Sequence, residues 1–270
     1  MNSNQWINQV ESELKELAEG TDRAKASEFF QEYLDAASRF WNYSFHNQLL
    51  IRSQFRQPTR VAGYRTWESM GRKVRKGEKG IRILAPATKR ANEPADEYKE
   101  QKEEFVLYFF TVCVFDISQT EGKPLPELDI EIKGDDKACL LDRILGFCKE
   151  RGILVDFKDL DQGWLGASMG RRIVIDEKLS VNSKVNTLLH EVAHELLHRD
   201  SDREGLSRQQ KEIQAEGTAY VVSKALGIEA KSFDYLALYD ADFKRIMENL
   251  QAIAEAAKLI LKGLKAPCFF

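Results

Sequence analysis

The chain has 270 residues, 43% of them hydrophobic, and a net charge of −3, enough for one large domain or two ordinary ones with real cores. Its longest apolar stretch, residues 105–115, is eleven residues interrupted by Thr111, against about 20 for a bilayer span, so no transmembrane helix and no membrane partner are expected. The sequence does not open on a basic segment followed by an apolar core, and Cys113, Cys139, Cys148 and Cys268 stand in apolar contexts without CxxC spacing. Reduced, buried thiols in a cytoplasmic protein fit that pattern better than a disulfide framework or a thiolate zinc site.

Apolar residues recur at helical spacing from Trp6 to Leu17 and from Phe29 to Phe40, predicting two helices broken near Gly20. A third is expected over residues 44–55, with Ser44 as N-cap and Pro58 ending it, and a short one near Thr66 that stops by Gly71. Residues 81–84 and 105–115 read as strands on either side of a polar, acidic loop over residues 91–104. The helix-hostile run Gly122-Lys123-Pro124-Leu125-Pro126 places a domain boundary at about 120–135, giving expected domains of 1–125 and 126–270. In the second half a helix is predicted over 136–151, strands over 153–157 and 172–175, and a partner strand over 164–168 joined through Met169-Gly170-Arg171. Helices follow over 181–198, 207–226 and 240–264. The fold class read from this order is α+β, in two domains.

Charge is unevenly spread. Between Trp41 and Arg90 there are twelve Lys or Arg against Glu68 and Glu78, a net +10, leaving −13 on the other 220 residues. A basic module meeting a polyanion, joined to an acidic module with another task, accounts for this division.

Three of the four histidines, His190, His194 and His198, fall within nine residues on one predicted helix, the fourth being His46. His190-Glu191-Val192-Ala193-His194 is an HExxH pattern. Positions i and i+4 face the same way one turn apart, so both imidazoles reach one ion, while Glu191 lies beside it as a proton carrier. The apolar residues Leu188, Leu189, Val192, Ala193, Leu196 and Leu197 make this a core helix. His198 sits about 12 Å along the axis from His190, too far to share the ion with both others, so a place behind the ligands or at the helix end is expected. The third ligand should come from the next helix, where Glu212-Ile213-Gln214-Ala215-Glu216 offers two carboxylates one turn apart. Glu216 is preferred as ligand over Glu212, the other carboxylate then orienting an imidazole or holding water.

His190 to His194, followed by Glu212-Ile213-Gln214-Ala215-Glu216-Gly217-Thr218-Ala219-Tyr220-Val221-Val222, resembles the zinc metallopeptidases of the ImmA/IrrE type. The first half resembles the single-stranded-DNA-binding N-terminal domain of ArdC-type antirestriction proteins. That likeness rests on Tyr43-Ser44 with Asn47 and Leu49-Leu50, on residues 71–81, and on Val114-Phe115-Asp116-Ile117-Ser118-Gln119-Thr120. The resemblances cover about residues 25–226. They imply a zincin-like second domain with Zn2+ held by His190, His194 and Glu216, and with Glu191 as general base. The Gly and third His of the metzincin motif do not occur at the required spacing.

Independently of family, Arg75, Lys76 and Lys79 lie on a glycine-flanked loop directly after Arg72 and Lys73, where cations and backbone N–H groups can approach phosphates together. Nearby aromatics could stack on unpaired bases, which favours single strands. Trp41 and Phe45 continue apolar patterns and are expected in the core, leaving Tyr64 and Trp67 as platforms. The expected function is that of a single-stranded-DNA-binding zinc metallopeptidase of antirestriction type, hydrolysing a protein or peptide substrate with a zinc-activated water. The alternative is a non-proteolytic DNA-binding antirestriction protein with a structural or vestigial metal site.

Overall fold

The structure, a computed structural model, describes residues 23–55, 57–90, 104–124, 136–161, 163–199, 205–228 and 243–266, with positions 5, 8, 12 and 15. The first predicted helix, the acidic loop of residues 91–103 and the Pro-rich segment after Lys123 fall in large part outside these. The chain forms two compact units, residues 1–13 with 49–125 and residues 14–48 with 126–270. The α+β class expected from the sequence is the class observed.

Positions 5, 8, 12 and 15 are helical, and the helices α1 (Arg23–Arg39) and α2 (Phe45–Gln54) follow. Ser44 caps α2 as expected, its hydroxyl accepting the Asn47 N–H at 3.4 Å. α1 belongs to the second unit; the first, from residue 49, holds the end of α2, then β1 (Val61–Gly63), α3 (Tyr64–Ser69), β2 (Arg72–Val74), β3 (Ile81–Arg90), β4 (Glu104–Asp116), a 3-10 turn (Ile117–Gln119) and β5 (Thr120–Gly122). The sheet order is β1-β4-β3, antiparallel throughout, with β2 and β5 as a separate two-stranded ribbon. β3 is longer than the sequence suggests, running through Pro86, which pairs with Phe109. A proline has no N–H to give a ladder, but β3 is the edge strand, where one side needs no donor. Thr66 lies inside α3 rather than at its cap, which is Gly63.

The second unit holds α4 (Asp136–Glu150), β6 (Leu154–Lys158), β7 (Gly166–Ser168), β8 (Arg172–Asp176), α5 (Val181–His198), α6 (Arg208–Ala225) and α7 (Phe243–Gly263). Its sheet order is β6-β8-β7, with β6 and β8 parallel and β7 antiparallel to β8. Gly170 and Arg171 both take positive φ (71° and 59°), the conformation a two-residue hairpin turn of type I′ requires. Ser180 caps α5, and Ser207 with Gln210 forms a capping box on α6. The core is built on α5, whose Leu188, Leu189, Val192 and Ala193 are fully buried, and on Ile173 and Ile175 of β8. α1 packs against α6 in this unit, where the Tyr220 hydroxyl donates to Asp35 at 2.7 Å, while buried Tyr33 of α1 meets the Phe45 ring and donates to Gln48 at 3.1 Å. Residues 23–48, read from sequence with the first half, therefore pack with the second.

Among the described residues no helix is long and apolar enough to cross a membrane. Among the described cysteines Cys148 is buried, its thiol pushed up to about 12 by desolvation, and Cys113 and Cys139 are exposed, contrary to expectation; Cys268 lies outside the described residues.

Candidate metal centre and nucleic-acid interface

α5 brings His190 and His194 onto one face, with their Nε2 atoms 3.0 Å apart. α6 packs across it and carries Glu212 to both rings, Oε2 standing 3.4 Å from His190 Nε2 and 3.5 Å from His194 Nε2. These three are the one group of potential ligands found together among the described residues. Ligands at about 2.0–2.1 Å around a tetrahedral ion lie roughly 3.3–3.4 Å from each other, so the triangle fits a small divalent metal with a position left open. Two imidazoles and a carboxylate suit zinc and its neighbours rather than calcium or magnesium. Burial and the adjacent His190 ring hold His194 below its ordinary pKa, against the pull of Glu212, which keeps the ring in its ligating neutral form.

Glu216, the carboxylate preferred from sequence, is exposed and stands outside this group. Glu212 meets both His190 and His194, and Gln214 meets His198, its Oε1 lying 3.0 Å from His198 Nε2. Glu216 is one turn, about 6 Å, beyond Glu212 on α6, and the place against the two rings is taken by Glu212.

Glu191 is buried on the same helix and shares with His190, His194 and Glu212 a cavity of about 570 Å3, walled on one side by Ser168 of β7. Desolvation, then the charge of Glu212, raises its carboxyl to about 7, while the Ser168 backbone N–H pulls the other way and Glu195 adds to the rise. Such a carboxyl exchanges a proton near neutral pH. Glu195, one turn on and 1% exposed, accepts from the Ser168 hydroxyl at 2.6 Å and from the Gly170 and Arg171 N–H groups at 3.0 and 2.8 Å. It pins the β7–β8 turn to α5, and sequence patterning had not singled it out. Gly166 permits the approach: a Cβ there would stand 2.8 Å from Thr187 of α5.

In the first unit the cationic loop is held from below. Asp116, fully buried, accepts from the Thr59, Arg60 and Ser118 N–H groups at 2.7, 3.1 and 2.9 Å. Gln119 accepts the Asp116 N–H at 2.9 Å and donates to the Lys79 carbonyl at 2.8 Å and to Glu78 at 3.2 Å. Gly77 turns the loop with φ 92°. Of the predicted contacts, Lys73, Arg75, Lys76, Lys79 and Tyr64 are exposed. Arg75 pairs with Glu78 at 2.8 Å and donates to the Ser118 carbonyl, while Arg72 ties β2 to Thr120 at 2.8 Å and to Lys123. Trp67 is not a platform: it is fully buried, and its indole donates to the Phe115 carbonyl at 2.9 Å. Exposed aromatics lie instead on β4, at Tyr108, Phe109 and Phe110, which sequence analysis read only as strand.

Comparison with known proteins adds to this geometry. Residues 3–115 match the N-terminal domain of the anti-restriction factor ArdC, and residues 148–262 match the IrrE N-terminal-like domain of peptidase family M78. An uncharacterized protein of Bacillus anthracis is 26% identical over 91% of this chain; the chain spans about half the length of that relative, 49%. Two crystal structures of the antirestriction ArdC protein from plasmid R388, metal-free and Mn(II)-bound, are 20% and 19% identical with TM-scores of 0.48 and 0.49. Each match covers 87% of this chain and 97% of the other. The two halves of the chain thus match two different family models, the ArdC N-terminal domain and the IrrE N-terminal-like domain of peptidase family M78.

Proposed function

We propose that the second unit is a metallopeptidase site, with zinc held by His190, His194 and Glu212 and with Glu191 as general base, and that the first unit binds single-stranded DNA. The observation that carries this reading is the triangle of two imidazole nitrogens and one carboxylate oxygen, with edges of 3.0–3.5 Å, beside a buried carboxyl raised to about 7. A zinc ion bound there supplies an acidified water and a polarising charge for a carbonyl. Glu191 takes the proton of the attacking water and returns it to the leaving amine; its elevated pKa suits both transfers. The β7–β8 hairpin, pinned by Glu195, keeps Ser168 against Glu191.

DNA binding is supported by the +10 segment and by Lys73, Lys76 and Lys79 exposed on and beside a loop whose backbone Gln119 fixes. Arg75, on the same loop, and Tyr64 are exposed as well, whereas Arg72 and Trp67 serve the fold. Glu191→Gln tests the division of labour: the variant should keep zinc, fold and DNA affinity while peptide hydrolysis drops by two or more orders of magnitude, on the scale of a general base. Hydrolysis equal to that of the parent would remove Glu191 from the reaction. Hydrolysis should be assayed with and without single-stranded DNA.

A further inference from the structure

Behind the metal triangle a line of polar side chains runs through three helices. His194 Nδ1 lies 3.0 Å from His198 Nδ1, His198 Nε2 lies 3.0 Å from Gln214 Oε1, and Gln214 Nε2 donates to Asn249 Oδ1 at 2.7 Å. Gln214 and Asn249 are buried to 3% and 1% exposure, at the crossing of α6 and α7. Three residues beyond Gln214, Gly217 lets α7 come close: a Cβ at 217 would stand 2.6 Å from Ile253. Asn249 Nδ2 is buried without a hydrogen-bond partner among the described residues, a cost of about 1–3 kcal/mol that an apolar side chain at this place in α7 would avoid. The function of this amide is therefore the bond its oxygen accepts.

We infer that His198, Gln214 and Asn249 are positioning residues that hold His194 as its Nδ1–H tautomer, making α7 part of the metal site. The inference rests on the metal reading of His190, His194 and Glu212. Given that reading, every link is determined. A ring that offers Nε2 to a metal carries its proton on Nδ1, and that proton can go only to an unprotonated His198 Nδ1. His198 then bears its proton on Nε2 and donates to Gln214 Oε1, which turns the Gln214 NH2 toward Asn249. The opposite order of donors would put a proton on His194 Nε2 and set the ring against the metal. Ligating histidines are ordinarily oriented through their second nitrogen by one neighbour; here the orienting chain is three residues long and anchored in the last helix.

The test uses the full chain loaded with Zn(II). Long-range 1H–15N correlation of the imidazoles should show His194 protonated at Nδ1 and His198 protonated at Nε2 with a bare Nδ1. Competition titration with a zinc chelator should then find affinity lowered roughly 10- to 100-fold in Gln214→Leu, the usual scale for losing an outer-shell partner. Gln214→Glu should restore it, because the new carboxylate still accepts from His198 and Asn249 can rotate its NH2 to donate. A parent chain that takes up no zinc overturns the metal reading itself. A parent that binds zinc with His198 protonated at Nδ1, or a Gln214→Leu chain that binds as tightly as the parent, overturns the relay alone. A merely packing role would leave the His198 tautomer free and would not distinguish Glu from Leu at 214.

Discussion

At the scale of single residues, Glu191 sets a pH dependence. Its carboxyl is raised from 4.5 to about 7 in the folded chain, so between those values the folded state holds more protons than the unfolded one. Stability from this group is therefore complete below about pH 4.5 and is lost as pH rises through about 7. The loss amounts to up to about 3 kcal/mol. Denaturant unfolding of the metal-free chain should show Glu191→Gln gaining on the parent as pH rises from 5 to 8, and a gain independent of pH would refute the burial argument. The residues whose chemistry follows from spacing were legible in the sequence: His190, Glu191 and His194 meet because a helix repeats every 3.6 residues. Glu216 was preferred over Glu212 from sequence and the structure groups Glu212 with the histidines, because both occupy the same face of α6 and only the way α6 crosses α5 chooses between them. Gln214 and Asn249 left no signal, because a lone amide on a helix has no pattern until its partner is in place.

Among elements, the cationic loop between β2 and β3 shows how a motif can serve recognition through structure. Asp116, Ser118 and Gln119, prominent in the resemblance, touch the loop's backbone or the turn beneath it, so their part is to fix the positions of Lys76 and Lys79. Replacing Lys73, Lys76 and Lys79 together by Gln should weaken single-stranded-DNA binding and flatten the plot of log affinity against log salt by about 2, at roughly 0.7 per phosphate contact. Gln119→Ala keeps the charges and should lower affinity while leaving the slope near the parent's. Fluorescence anisotropy at several salt concentrations distinguishes the two, and an unchanged slope in the triple variant would mean that these lysines are merely solvated. The helices and hairpins of the second unit matched their periodicity closely, from the cap at Ser180 to the turn at Gly170 and Arg171. β3 outran its prediction because tolerance of Pro86 depends on its being an edge strand, which local sequence does not encode. Trp67 looked like a platform because a six-residue helix is too short for its buried face to appear as a period.

For the whole molecule, α1 is the feature that a cut at the Pro-rich boundary would misjudge. It lies more than ninety residues before α4, yet Phe30, Tyr33, Leu34 and Ala37 are buried in the second unit, where Tyr220 of α6 donates to Asp35. Burial of such side chains contributes about 1.5–3 kcal/mol each for the large ones, so a chain of residues 126–270 should melt well below the full protein or aggregate. Equal melting temperatures in thermal unfolding followed by circular dichroism would show that α1 is dispensable. The boundary signal in the sequence is local, whereas the return of α1 to α6 is a long-range contact that composition and turn chemistry do not report. The central claim, that α5 and α6 together form a catalytic metal site, is tested most directly by the zinc content of the purified chain and its variants. The parent should hold about one zinc per chain, His190→Ala, His194→Ala and Glu212→Ala should lose it on dialysis, and Glu216→Ala should retain it. Retention by Glu212→Ala with loss by Glu216→Ala, or a full complement in both histidine variants, would contradict the account.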